Sequence, residues 1–162
     1  MRFDDDDDEP FDWDDFEENY DPEAAQRELE AENRRIESLP VLKKAQEVLD
    51  ITQAIADTID KDADILMMHE QMIANAMMLA PKIVGAEGGD LYTIRMENAV
   101  LIKIHARELL TQTNYLRAER LCDPAYIKLL REEIEQFRVL FVEWVKSFDR
   151  TNDIQDNWGL FY

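Results

Sequence analysis

The sequence predicts an all-α protein: an antiparallel up-down-up-down four-helix bundle with an extra N-terminal helix and a disordered acidic N-terminal arm. Apolar residues recur every three or four positions along several long stretches, and proline and acidic residues stand where helices would begin. No stretch of useful length alternates apolar and polar residues as a strand would. We expect the arm at 1–21, the appended helix at 22–38, the bundle at 39–150 and an aromatic C-terminal tail at 151–162.

The predicted arm carries most of the chain's negative charge. The formal net charge of the 162 residues is −19, and residues 1–23 alone hold thirteen acids against one base. Residues 91–150 are near neutral, with nine acids and ten bases. Charge repulsion within the arm, together with its lack of a periodic apolar face, predicts that it is disordered in isolation.

Aromatic residues are interspersed among the acids of the arm. A segment that only confers solubility needs no such residues, so Phe11, Trp13 and Phe16 are candidate partner-binding residues. The negative charge would attract a basic surface, and the aromatic side chains would anchor the segment once it docks. An equally weighted alternative is that Phe11 and Trp13 pack on the bundle of the same chain, near one of its basic residues: Arg95, Lys103, Arg107, Arg117 or Arg120.

Two helices are expected after the arm. Asp21-Pro22-Glu23 is typical of a helix start, with a capping acid followed by a proline in the first turn. This helix should run over 23–37 and end at Ser38-Leu39-Pro40. The next should run over 41–60. Its expected buried face consists of Leu42, Ala45, Val48, Leu49, Thr52, Ile55 and Ile59.

The next two helices should flank a glycine turn at 85–90. The first is predicted over 63–84, with a kink at Pro81, because proline removes a backbone hydrogen bond. The second is predicted over 90–121, with Asp90 as its cap. Spacings of three and four place one mixed face on this helix, made of Ile94, Asn98, Leu101, His105, Glu108, Gln112 and Tyr115.

The last helix, expected over 124–148 after the cap-and-proline pair Asp123-Pro124, has the most regular pattern of apolar residues. The alternating spacing of three and four is that of a heptad repeat and predicts a bundle core position for each member. The members are Ile127, Leu130, Ile134, Phe137, Phe141, Trp144 and Phe148.

The chain's only two histidines are its candidate ligand site. Across the glycine turn, His69 and His105 are predicted to lie at nearly the same level. Glu108 follows His105 by one turn of the same helix. Two imidazoles and a carboxylate could bind a divalent metal or a small ligand inside the bundle. The alternative, which the cost of unsatisfied buried groups favours, is a pair of core histidines hydrogen-bonded to Glu108, Gln112 or Thr52.

Several functional classes are disfavoured by the sequence. No basic patch predicts nucleic-acid binding, no run of eighteen apolar residues predicts a membrane span, and no signal peptide is visible. The single cysteine, Cys122, can form no intrachain disulfide, which suits a cytoplasmic protein. No serine or cysteine stands at motif spacing from a histidine, so the sequence favours a protein that is not an enzyme and that needs no cofactor, apart from a divalent metal if the two histidines form a site.

The expected function is therefore that of a non-enzymatic interaction or scaffold protein. It would engage a protein partner, one with a basic surface, through the acidic-aromatic arm or through Trp158 and Phe161 of the tail. Since soluble proteins seldom leave such apolar tails uncovered, we also expect a homodimer. The alternative is a bundle that binds a metal or small ligand at His69, His105 and Glu108.

Overall fold

The computed structural model describes residues 21–154 together with Trp158 and Gly159. Within them it shows five helices and no strand, which confirms the all-α prediction. They are α1 (Pro22–Glu37), α2 (Pro40–Ala56), α3 (Met68–Glu87), α4 (Tyr92–Glu119) and α5 (Pro124–Lys146). The predicted partner-binding residues Phe11, Trp13, Phe16 and Phe161 lie outside the described residues.

The chain divides into two compact units between Arg34 and Arg35, so that most of α1 belongs to the first unit. The predicted cap of α1 is confirmed. One oxygen of the Asp21 carboxylate accepts hydrogen bonds from the backbone N–H groups of Glu23, at 3.0 Å, and Ala24, at 3.1 Å. Two of the N–H groups that a helix start leaves without a partner are thus satisfied locally.

The second unit is a helical bundle. Helix α2 contacts α3 and α5, and α4 contacts the same two helices. Apolar side chains from all four helices form one buried core, to which the last turn of α1 adds Ile36. Thr52 and Thr113 are also fully buried, and each hydroxyl donates to a backbone carbonyl of its own helix, Val48 and Leu110 respectively.

The prediction for α5 is largely confirmed. Helix α5 starts after Asp123, whose carboxylate accepts a hydrogen bond from the backbone N–H of Ala125 at 2.7 Å. Six of the seven heptad residues are buried, and Phe141 is half-buried. Successive aromatic members contact one another in tilted or edge-on arrangements, with ring centroids 4.8 to 6.1 Å apart. A regular heptad pattern is a local signal, which explains why the sequence predicted this face correctly.

The predicted buried face of α4 is wrong by one position. Ile94 is 49% exposed, Leu101 is 38% exposed and Glu108 is exposed. The face that is buried consists of Ala99, Ile102, Leu109, Thr113 and Leu116. Helix α4 carries apolar residues around most of its circumference, so two neighbouring faces had the same spacing, and periodicity alone did not distinguish them.

The predicted bounds of α2 and α3 also need correction. Helix α2 ends at Ala56 instead of residue 60, and α3 begins at Met68 instead of residue 63. Helix α3 then continues through Pro81 and Gly85 to Glu87, so the inter-helix turn begins later than predicted. The residues between α2 and α3 form turns that end at Met67 in the left-handed conformation, with φ of 52°.

The predicted cap of α4, Asp90, is replaced by a residue far away in the sequence. Helix α4 begins after Leu91, and the carboxylate of Asp153 accepts from the backbone N–H of Thr93, at 3.1 Å, and from its hydroxyl, at 2.6 Å. The backbone N–H of Tyr92 donates to the carbonyl of Asn152 at 2.9 Å. The segment after α5 therefore caps the start of α4.

Candidate functional site

The two histidines bind separate partners. Nδ1 of His69 lies 2.7 Å from Oδ2 of Asp64, and Nδ1 of His105 lies 2.8 Å from Oδ1 of Asn75. Glu108 lies on the exposed surface of α4. No group of three or more histidine, cysteine, aspartate or glutamate side chains that could bind a metal occurs within residues 21–154 and 158–159. Each imidazole is thus hydrogen-bonded within the bundle, although to partners that the sequence did not indicate.

Asp64 connects the loop before α3 to the first turn of that helix. Its side chain is buried, and Oδ2 accepts from both the backbone N–H and the ring of His69, at 2.9 and 2.7 Å. Burial raises the pKa of the Asp64 carboxyl, but the hydrogen bonds from His69 and Met68 outweigh it, and the pKa lies below its usual value. This arrangement caps α3 and fixes the ring of His69.

A second buried carboxylate, Glu87, lies at the end of α3. It pairs with Arg35 at 2.7 Å, with Arg95, and with the indole N–H of Trp144 at 2.7 Å. The guanidinium of Arg95 also lies 4.1 Å from the ring centroid of Phe148, within the range of a cation–π contact. This cluster was not predicted from the sequence, because Glu87 was assigned to the turn and its partners are distant in the chain.

A surface groove lies between α4 and α5, and we call it the α4–α5 groove. Its volume is about 370 Å³. Its apolar lining consists of Ala106, Leu110, Ile134, Phe137, Phe141 and Val142, and its charged rim consists of Lys103, Arg107, Arg131, Glu135 and Arg138. The rim has four cations and one anion in a chain whose net charge is −19.

The cations of the rim differ in their pairing. Arg138 forms two hydrogen bonds with Glu135, at 2.6 and 2.8 Å, and Arg131 donates to the hydroxyl of Thr113 at 2.7 Å. Within the part of the chain that the structure describes, the side chains of Lys103 and Arg107 make no hydrogen bond or ion pair. Two cations at one edge of the apolar groove are therefore uncompensated.

Two shallower depressions adjoin the groove. One shares Lys103 and Arg107 with it and adds the exposed side chains of Val100 and Ile104. The other, of about 580 Å³, shares Arg131 with it. Six of the ten basic residues between 91 and 150 line these three adjoining sites: Lys103, Arg107, Arg117, Lys128, Arg131 and Arg138.

The basic surface formed by these three sites was not predicted from the sequence. The near-neutral composition over 91–150 suggested no concentration of charge. Three acids, Glu108, Glu132 and Glu135, also line the three sites, where the six bases outnumber them. A signal was nevertheless present: Lys103 and Arg107 are four positions apart on α4, as are Arg131 and Glu135 on α5, and residues at that spacing share a helix face.

The described part of the C-terminal tail exposes apolar surface. Ile154 is 70% exposed and Trp158 is 86% exposed. Trp158 was a predicted partner-binding residue.

No protein-family model and no curated protein matches this sequence. Among the helices that the structure describes, none is both long and apolar enough to cross a membrane.

Proposed function

We propose that this chain is a non-enzymatic interaction or scaffold protein of the cytoplasm, with its bundle in up-down-up-down order. Its acidic-aromatic arm at 1–21, or its aromatic tail at 151–162, engages a protein partner that presents a basic surface. The observation that carries the proposal is the composition of the arm, in which twelve of the 21 residues are acids and aromatic residues are set among them.

The core of the described residues supports a separation between a folded bundle and the segments that bind a partner. Its buried apolar residues extend from Ile36 to Phe148 and come from every helix of the bundle. These described residues alone form an extensive core. A segment with high charge and little periodic apolar surface commonly becomes ordered only when it binds.

The environment of the two histidines supports a structural role for them. The Nδ1 atoms of His69 and His105 lie within hydrogen-bond distance of Asp64 and Asn75, so both rings are oriented by the bundle. In this arrangement one ring nitrogen of each histidine has a partner within the bundle.

The proposal is tested by affinity capture with the full chain from a lysate of the organism that produces it. Three versions are compared with the wild type: Phe11→Ala/Trp13→Ala/Phe16→Ala, Trp158→Ala/Phe161→Ala, and a control, Ile65→Ala/Met77→Ala. The control removes apolar side chains that are 85% and 52% exposed elsewhere on the chain. All three keep the net charge unchanged.

We expect quantitative mass spectrometry to detect a partner that the wild type and the control retain and that one aromatic variant loses. The interaction of the purified partner should weaken as the salt concentration rises, since charge attraction contributes to it. Equal recovery of every captured protein by all four versions would contradict the proposal.

A further inference from the structure

We propose that the α4–α5 groove is the docking site for the acidic-aromatic arm of a second copy of this chain, so that two copies exchange arms in a homodimer. The inference rests on the proposed function, because it names a partner for the arm. It also assigns a role to a basic surface that the proposed function does not use.

The chemistry of the groove fits an acidic segment that carries aromatic side chains. The lining is apolar and includes the half-buried ring of Phe141, while Lys103 and Arg107 at the rim make no ion pair within the described residues. An apolar cleft with a cationic rim binds anions at its edge and buries bulky apolar groups within it. Charge complementarity of this kind determines the choice of partner and speeds association.

The arm has the matching composition. Residues 3–20 contain eleven acids, five aromatic residues and no lysine or arginine. Trp13, Phe16 and Tyr20 are three and four positions apart, which is the spacing of anchors that enter a groove from one face of a bound helix. Acids occupy most of the positions between these anchors, where they would meet the cations of the rim.

A second copy of the chain would cover the exposed apolar surface beside the groove. The adjoining depression exposes Val100 and Ile104, which are 39% and 44% exposed, and the groove itself exposes Val142, at 37%. This apolar surface extends over both α4 and α5. Contiguous apolar patches of this kind are commonly covered by a partner, and twofold dimers are the commonest assembly. In a twofold exchange each copy supplies one arm and one groove.

The test is the self-association of the full chain, measured by sedimentation equilibrium over a range of protein and salt concentrations. The groove variant Lys103→Glu/Arg107→Glu is compared with a control, Lys43→Glu/Lys61→Glu. All four residues are exposed, and both double substitutions make the same change in net charge. Circular dichroism and melting temperature establish that each variant is folded.

We expect the wild type and the control to dimerise, more weakly at high salt, and the groove variant to self-associate about tenfold more weakly or worse. A charge exchange supplies a second measurement. An arm variant, Asp12→Lys/Asp14→Lys/Asp15→Lys/Glu17→Lys/Glu18→Lys, changes the net charge of residues 11–20 from −5 to +5. It should not dimerise alone, but when mixed with the groove variant it should form a heterodimer, because both arm–groove contacts then pair opposite charges.

Three results would overturn the inference: a wild type that stays monomeric at every concentration, a groove variant that dimerises as well as the control, or a mixture that forms no heterodimer. If the chain is a monomer and arm substitutions increase hydrogen exchange at residues 103–110, the arm lies in the groove of its own chain. That result also excludes the second copy. The affinity capture with Phe11→Ala/Trp13→Ala/Phe16→Ala is independent of these results. A failure of arm exchange is therefore distinguishable from a failure of the proposed function.

Discussion

Glu87, in the last turn of α3, accepts a hydrogen bond at 2.7 Å from the indole N–H of Trp144, near the end of α5. The same carboxylate pairs with Arg35 and Arg95, so one buried side chain connects the last turn of α1, α4 and α5 to α3. The carboxylate is only 2% exposed. A charge in this position is stable because every one of these partners donates to it.

Removal of this carboxylate should therefore destabilise the bundle strongly. Glu87→Ala leaves Arg95, which is 14% exposed, and the Trp144 indole without an acceptor, and we expect a loss of about 3–5 kcal/mol in the free energy of unfolding. Glu87→Gln keeps an acceptor for Trp144 but no charge, and should have an intermediate effect. Urea denaturation measures both, and a change of under about 0.5 kcal/mol in Glu87→Ala would contradict the assigned role.

The sequence predicted those features of the fold whose signals are local. The caps at Asp21 and Asp123 and the heptad pattern of α5 each depend on residues within a few positions of one another. Glu87 and Asp153, in contrast, act on Trp144 and Thr93, which are 57 and 60 positions away. A single sequence contains no local pattern that pairs such residues.

The cap of α4 by Asp153 gives a second prediction. Asp153→Ala removes the acceptor of both the backbone N–H and the hydroxyl of Thr93, and loss of such a cap typically costs about 0.5–2 kcal/mol. Asp90→Ala serves as the matched control, since Asp90 is the acid that the sequence assigned to this cap and its side chain is exposed. Thermal unfolding should show a lower midpoint for Asp153→Ala and little change for Asp90→Ala. A lower midpoint for Asp90→Ala than for Asp153→Ala would instead support Asp90 as the cap of α4.

The candidate sites were less predictable than the helices, for two reasons. On α4, apolar residues on adjacent faces gave two equally spaced patterns, so the face containing His105 and Glu108 was predicted to be buried and the neighbouring face was not. The α4–α5 groove depends on how far apart two helices pack, and the identities of Lys103 and Arg107 alone do not determine this.

Asp64 and His69 predict a specific response to acid. The folded-state pKa of Asp64 lies below its usual value, so this carboxylate stabilises the fold fully above its unfolded pKa, about 3.9. That contribution is lost as the pH falls through the folded-state pKa. Between neutral pH and acid, the unfolding free energy of the wild type should therefore fall more than that of Asp64→Asn.

The control for this comparison is Asp62→Asn, which changes an exposed acid of the same turn. At neutral pH we expect Asp64→Asn to be less stable than the wild type by about 1–3 kcal/mol, since a charged acceptor of buried hydrogen bonds becomes neutral. Asp62→Asn should follow the wild type at every pH. Parallel pH profiles for wild type and Asp64→Asn would show that this carboxylate is not responsible for acid sensitivity.

The last prediction separates two phenylalanines that the heptad pattern treats alike. Both line the α4–α5 groove, but Phe137 is 2% exposed and belongs to the core, whereas Phe141, with its ring centroid 6.1 Å away, is only half-buried and keeps more of its side chain accessible. Phe137→Ala should cost about 3–5 kcal/mol of unfolding free energy, because it leaves a cavity. Phe141→Ala should cost about half as much, because less apolar area is lost from the core. It should weaken self-association instead, because the arm loses a contact in the groove. Unfolding and sedimentation of the same two variants measure these effects, and equal losses of stability with unchanged self-association would show that the groove is only a packing irregularity between α4 and α5.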